Sequence, residues 1–550
     1  MTERFVIALA QLNPVAGAVS HNMTKLFEAW KEAAGKGVGI VVASELFITG
    51  YPPEDFAHNP DLQKAARDAI EALARKTASG PALIVGSPWK ADGVLHNAAL
   101  LLDGGVISSI VLKHDLPNYG PFDEKRVYAS GPVPDPVDLR GKRLGIMICE
   151  DMWSPGAAAH LKQAGAQVLI VINGSPFEHG KQNYRLALAR GRVQETGLPL
   201  VYVNQTGGQD ELVFEGSSFV MDSSGKVCAQ ARAWEEDLLF TSWHTGQEKL
   251  SPEGGPRTAL PEGEAAVYHA LVTGLRDYVV KNGFDQVLLG LSGGIDSALT
   301  AAIAADAIGP GKVRAVILPS AITPAESVED ALAVARNLGC RVDTISIDEP
   351  VQAFEHALAH AFAGCAPDVT EENIQARCRG VLLMALANKS RSMVIATGNK
   401  SEMATGYATL YGDMCGGFAP LKDVYKTMIY RLAIWRNGHK PAWSLGPSGR
   451  VIPENVLKKP PSAELRPGQT DQETLPPYDV LDGILKCLIE EELPIADILA
   501  RGYDAETVQK VRKMLYQSEF KRRQAPPGTR ISPRHLTRDR RYPITNRFAG

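Results

Sequence analysis

Short runs of β-branched and aliphatic residues alternate with Ala-rich amphipathic stretches in two series parted by one break, and within the second series 442–478 is a long Pro-rich irregular segment of the kind that is usually functional or mobile. Before the break come FVIALA, a helical stretch over 22–34, then GIVVA, ALIVG, ISSIVL, RLGIMI, VLIVI and LVYV. After it come a helix over 265–281, QVLLGL, an Ala-rich helix, VRAVIL, the helical SVEDALAVARNLG and VDTISI. Such alternation predicts an α/β chain, and in the second series a parallel sheet joined by right-handed crossovers. The break, QEKLSPEGGPRTALPEGE, is rich in Pro, Gly and charge without an apolar period, so it reads as a linker. Length requires the same division: 550 residues exceed the roughly 250–300 that one hydrophobic core can serve. The expected domains are 1–245 and 265–550, joined by 246–264.

Composition excludes classes rather than naming one. An apolar fraction of 45%, a charged fraction of 22% and a net charge of −4 are those of an ordinary globular protein. The longest apolar runs, such as VLIVI, fall short of the roughly 20 residues of a membrane helix, so no membrane is expected. MTERFVIALAQ reads as a first strand, not a signal peptide. Seven cysteines without a CxxC pair argue against a disulfide framework or zinc and fit a reducing cytoplasm. Residues 520–548 hold nine Lys or Arg against one acid. With a negative total charge and no interleaved aromatics, nucleic acid is not the expected partner; a phosphate-bearing small ligand or a partner subunit suits this tail better.

Three polar residues close apolar runs in the first half: Glu45 after GIVVAS, Lys113 after ISSIVL and Cys149 after RLGIMI. Singly each is unremarked, a buried small thiol or a solvated loop charge. Together they supply what thioester-mediated carboxamide hydrolysis needs: a sulfur nucleophile, a group to move its proton, and a cation where the oxyanion develops. A neighbouring ammonium is expected to lower the thiol pKa.

In the second half QVLLGL runs into SGGIDSALTAAIAA, a Gly-rich turn opening a helix. Backbone N–H groups there, with the hydroxyls of Ser292 and Ser297, form an anion site. No Walker lysine follows, which disfavours γ-phosphoryl transfer. The run Gly290-Leu291-Ser292-Gly293-Gly294 also fits the G-x-S-x-G elbow of hydrolases, but that reading leaves Asp296-Ser297 and the blocks downstream without a role.

The blocks SELFITGYPPED, LKHDLPNYGPFDEKRVY and GIMICEDMW resemble the nitrilase-like glutaminase domain of bacterial glutamine-dependent NAD+ synthetases. SGGIDSALTAA, ENIQARCRG, ATGNKSEMATGYATLYGDM, KPPSAELRPGQ and FKRRQAPPGTRIS resemble the synthetase domain of the same family, of ATP-pyrophosphatase type. The resemblance implies a nitrilase-like four-layer α-β-β-α sandwich followed by a Rossmann-like domain. It implies Glu45 as base, Lys113 as oxyanion stabiliser and Cys149 as nucleophile, with Tyr119, Ser175 and Lys181 holding glutamine. By the same likeness Gly290, Leu291, Ser292, Gly293, Gly294, Ile295, Asp296 and Ser297 hold ATP with Thr397 and Lys426. Asn373, Glu402 and Lys521 contact deamido-NAD+, and Asp296 and Glu402 face Mg2+. A homo-oligomer is implied as well. Amination of another nucleotide carboxylate or carbonyl, and a nucleotide-binding regulatory role, stay open at this point.

Overall fold

The structure, a computed structural model, describes residues 4–245 and 249–548, and the chain divides into two compact units at Pro261/Glu262. The expected linker is therefore in part structured. Residues 246–248 lie outside the described residues, but Leu250–Gly254 is a strand antiparallel to Asp237–Thr245, with Leu250 fully buried. Edge pairing uses backbone groups and needs only one apolar anchor, so no apolar period announced it.

The first unit stacks two sheets. One runs in the order Leu250–Gly254, Asp237–Thr245, Arg4–Gln11, Ile40–Val42, Ala82–Ala91, Val94–Asp103, Val106–Leu112. The other runs Val227–Gln230, Phe219–Met221, Leu200–Asn204, Val168–Asn173, Lys142–Ile148, Val137–Leu139. Leu9, Ile40 and Ile84 meet Ile146, Ile170 and Val201 between them. The helices Val19–Ala34 and Pro60–Lys76 cover the outer face of the first sheet through Leu26, Trp30, Ile70 and Leu73. Pro155–Gln163 and Lys181–Thr196 cover the second. Helix and opposite sheet bury both faces of each central strand, which is why those strands read as unbroken apolar runs. Antiparallel strands absent from the sequence reading, among them Val94–Asp103 and Asp237–Thr245, complete the sandwich. The hairpin between Ala82–Ala91 and Val94–Asp103 turns on Asp92-Gly93, both with positive φ, a two-residue turn signal.

The second unit centres on a four-stranded parallel sheet, ordered Arg341–Thr344, Val313–Ile317, Val287–Gly290, Met393–Val394. From Val287–Gly290 the chain crosses to one side through the helix Ile295–Ile308, while Met393–Val394 pairs on the other side, opening a crevice at the carboxyl edge. That helix is Ala-rich and buried all round, and its Asp306 accepts from Arg436 at 2.6 and 2.9 Å and from Tyr268 at 2.6 Å. Tyr478–Ile489 and Ala505–Gln517 form a helical lobe around Leu481, Leu485, Val511 and Leu515. Among the described residues no helix is long and apolar enough to cross a membrane.

Much of the basic tail is paired within the fold. Glu519 receives Arg522, Arg523 and Arg540 at 2.9, 3.1 and 2.8 Å, Arg530 pairs with Asp539 at 2.7 Å, and Arg534 with Glu492. Arg522, Arg530 and Arg540 are buried. Glu519 and Glu492, which lie before the tail, and Asp539 within it supply the opposing charges.

Candidate active sites

Glu45, Lys113 and Cys149 come together at the carboxyl ends of strands from both sheets. Glu45 lies three residues past Ile40–Val42, Lys113 directly after Val106–Leu112, and Cys149 directly after Lys142–Ile148. Gly86 admits the chain after Glu45, since a Cβ there would meet the Leu46 nitrogen at 2.3 Å. One Glu45 oxygen accepts from Lys113 at 2.7 Å and from Asn97 at 2.8 Å, the other from the Gly174 N–H at 2.8 Å. The carboxylate is thus fixed in plane. Cys149 sits at φ 47° between the strand and a one-turn 3-10 helix, Cys149–Met152, so its side chain leaves the sheet at a sharp corner. Asp151 fixes that corner by accepting from the backbone N–H groups of Ile148, His114 and Asp115 at 2.9, 3.0 and 2.8 Å, which ties the thiol's turn to the chain after Lys113.

The electrostatics differ from expectation at the thiol. Burial pushes Cys149 up, Glu45 pushes it further, and Lys113 opposes without prevailing, so the thiol holds its proton. Burial also works against the Lys113 ammonium, but Glu124 and Glu45 outweigh it and the net shift is upward. Glu124 is a second carboxylate that the sequence reading missed: it takes the other side of Lys113 at 2.8 Å and a hydrogen bond from Tyr51 at 3.2 Å. Burial raises its carboxyl against the pull of Lys113.

Of the residues expected to hold glutamine, Tyr119 is half-exposed and donates to both oxygens of Glu150, the chain neighbour of Cys149, at 3.0 Å. Ser175 is buried and accepts from Arg185 at 3.1 Å, while Lys181 opens the helix Lys181–Thr196 with its ammonium 5.7 Å from the Trp153 ring centre.

In the second unit a cavity of about 270 Å³ opens at the carboxyl edge of the parallel sheet. Gly290, Leu291, Ser292, Gly294, Ile295, Asp296, Ser297, Thr397, Glu402 and Lys426 all line it. Gly293 makes the turn at φ 82°, packed so closely that a Cβ would meet the Ser327 carbonyl at 2.2 Å. Ser292 accepts from the Gly294 N–H at 3.2 Å and shares a hydrogen bond with Ser297 at 3.1 Å. A hydrolase elbow needs histidine on that hydroxyl; here its partners belong to the turn itself, so the G-x-S-x-G reading falls.

Lys426 lies 2.5 Å from Asp296 and 3.7 Å from Glu402. Burial raises the Glu402 carboxyl, Asp296 adds to this and Lys426 opposes. Burial opposes the Lys426 charge, but Asp296 and Glu402 together raise it. Among the described residues no three acids, histidines or cysteines form a metal cage. Two oxygen donors facing a cavity nevertheless suit Mg2+, which commonly takes one or two carboxylates and completes its shell with phosphate oxygens and water.

Asn373 and Lys521 do not line the cavity. Lys521 donates to the carbonyls of Gly406 and Ala408 at 2.8 and 2.7 Å, and Asn373 accepts from the Thr409 hydroxyl at 2.9 Å. Both brace the loop whose Tyr407 and Ala408 do line it. The sequence reading missed Arg379, Asp413, Lys459, Glu464 and Asp471, all on the cavity wall. Lys459 and Glu464 stand in KPPSAELRPGQ, a block whose Pro-rich irregularity signalled function without naming its charges.

Fold and sites define a two-part class: a carbon–nitrogen hydrolase unit followed by an NAD synthase unit, and residues 6–244 and 267–525 match the families of those two descriptions. The chain is 47% identical to the glutamine-dependent NAD(+) synthetase of Rhodobacter capsulatus over 100% of its own length and 99% of the relative's, and 41% identical to that of Thermotoga maritima, covering 99% of each. The structure of the Acinetobacter baumannii glutamine-dependent NAD+ synthetase in complex with ADP aligns at TM-score 0.79 and 40% identity, covering 99% of both chains. The chain belongs to the glutamine-dependent NAD(+) synthetase family, whose members form carbon–nitrogen bonds.

Proposed function

We propose that the chain hydrolyses glutamine at Cys149 and uses the ammonia, with ATP, to convert deamido-NAD+ to NAD+. The observation that carries the first half is the pairing of Lys113 with Glu45 at 2.7 Å beside the Cys149 corner. Because the thiol holds its proton, Glu45 takes it as sulfur attacks the glutamine carboxamide. Lys113 stabilises the developing oxyanion, and Glu45 returns the proton to the departing ammonia. Water, deprotonated by Glu45, then hydrolyses the thioester to glutamate. Tyr119 with Glu150, Ser175 and Lys181 orient the amino acid part.

In the second unit the deamido-NAD+ carboxylate attacks the α-phosphorus of ATP, giving an acyl-adenylate and pyrophosphate. The turn from Gly290 to Ser297 and Lys426 receive the pyrophosphate, and Thr397 the adenosine. Asp296 and Glu402 would hold Mg2+, which when bound would offset charge on the phosphates. Ammonia displaces AMP to leave the amide. Glu402 meets deamido-NAD+ from the cavity wall, while Asn373 and Lys521 act on it through the loop they brace. The chain works in the cytoplasm as a homo-oligomer.

Purified protein given Mg2+, ATP, deamido-NAD+ and glutamine tests this by following NAD+, AMP and glutamate together. Cys149→Ala should abolish glutamine-driven NAD+ formation yet keep the ammonium-driven reaction; Asp296→Ala should impair both. Loss of the ammonium-driven rate in Cys149→Ala would refute the division of labour.

A further inference from the structure

The wall of the synthetase cavity carries a cation with no role so far. Lys459 is mostly buried, lies on the cavity and contacts Glu464 at 2.7 Å and the Ser327 hydroxyl. Ser327 donates to the same Glu464 oxygen at 2.6 Å. Ser327 is also the residue whose carbonyl abuts the Gly293 turn. The ammonium therefore sits at the rim of the proposed phosphate loop. The Arg379 guanidinium, also on the wall, lies within the field of Glu464.

Two features make the Lys459–Glu464 contact exchangeable. Glu464 has φ 51°, a backbone region that non-glycine residues rarely adopt, so its position rests on side-chain contacts rather than backbone preference. The rest of the segment is tied down separately: Ser462 donates to the Gln469 carbonyl at 2.6 Å, the Leu465 N–H to the Gln469 side chain at 2.8 Å, and Gln375 to the Leu465 carbonyl at 3.1 Å. Glu464 can turn away while the strap stays in place. A triphosphate offers Lys459 several anionic oxygens against the two of one carboxylate.

We propose that Lys459 is a phosphate-binding residue for ATP whose charge Glu464 masks, and that ATP entry exchanges the carboxylate for a phosphate oxygen. This rests on the reading of the cavity as the ATP site. The two partners then have opposite signs, whereas a purely structural clasp would give them the same sign.

The test is steady-state NAD+ formation from ammonium at varied ATP. Lys459→Met should raise the KM for ATP about tenfold, the loss of roughly one charge-assisted hydrogen bond, and Lys459→Arg should restore it to within about twofold. Glu464→Gln, which keeps a hydrogen-bonding side chain but removes the competing charge, should lower that KM by about threefold. An increase in both Lys459→Met and Glu464→Gln, or no change in either, overturns the proposal. If circular dichroism shows that Lys459→Met has lost its fold, the sign of the Glu464→Gln shift decides alone. Absence of saturable ATP dependence in the unaltered chain would instead count against the ATP site itself.

Discussion

Lys113 stands between two carboxylates that are held in different ways, and Glu45 is the one proposed as proton carrier for Cys149. Glu45 is held by Asn97 and the Gly174 N–H, whereas Glu124 faces Lys113 and Tyr51. Glu124 thus acts through the ammonium, keeping it charged in a buried place. Glu124→Gln should cut glutamine hydrolysis by about 100-fold while leaving ammonium-driven synthesis near normal, read by glutamate release and NAD+ formation in parallel. A different titration is set in the second unit. The His269 ring packs edge-on against Trp443 with centroids 5.6 Å apart, and burial lowers its pKa to about 4. The unfolded chain, with a histidine pKa of about 6.5, binds that proton more readily, so this contribution to stability is present above pH ~6.5 and is lost as pH falls towards 4. His269→Phe should flatten the acid limb of denaturant-measured stability by on the order of 1–3 kcal/mol. Residues at strand ends were legible because the strands themselves were: Glu45, Lys113 and Cys149 each close an apolar run. Asn97 and Asp151 were not, since their partners are 52 residues away in one case and 37 and 36 in the other, and nothing local marks such bonds.

At the scale of elements, close packing decides what can change. Gly293→Ala would need both a left-handed alanine and relief of a 2.2 Å approach to the Ser327 carbonyl. The variant should lose about 1–3 kcal/mol of stability and most ATP-dependent synthesis, measured by thermal melting and AMP release. The edge strand Leu250–Gly254 is anchored differently. Leu250→Ala should destabilise the first unit by about 2–4 kcal/mol, since a fully buried leucine leaves a cavity. Central strands were readable because two packed faces demand continuous apolar sequence, and the Ala-rich helix after Gly294 because burial all round demands small side chains. The antiparallel flanks were harder: Val94–Asp103 carries His96 and Asn97 inside its apolar run, and Leu250–Gly254 looks like linker until its backbone finds Asp237–Thr245. Asp92-Gly93 and Gly104-Gly105 were the available turn signals, and the hairpin made by the first carries Asn97 to Glu45.

For the whole molecule, two units with separate cores should not melt as one. Calorimetry should resolve two transitions, with ATP raising only the one that belongs to the parallel-sheet unit. A single transition moved as a whole by ATP would show that the cores are coupled. The second unit has its own seam. Asp423 accepts the backbone N–H groups of Ile531 and Ser532 at 2.8 Å each, and Lys400 donates to the Ser532 hydroxyl at 2.6 Å and the Arg534 carbonyl at 3.0 Å. Lys400 begins the short helix that carries Glu402.

That seam sets an order of events during synthesis on the ribosome. A nascent chain that has emerged only through residue 525 holds every proposed ATP and metal contact, yet the buried lysine at the head of the Glu402 helix still lacks two of its acceptors. Translation must therefore extend past residue 534 before the nucleotide pocket can set, while the glutamine-cleaving sandwich has had its full complement of strands since residue 254. Arrested chains of increasing length, probed by protease, should show the thiol-bearing sandwich resistant long before the remainder.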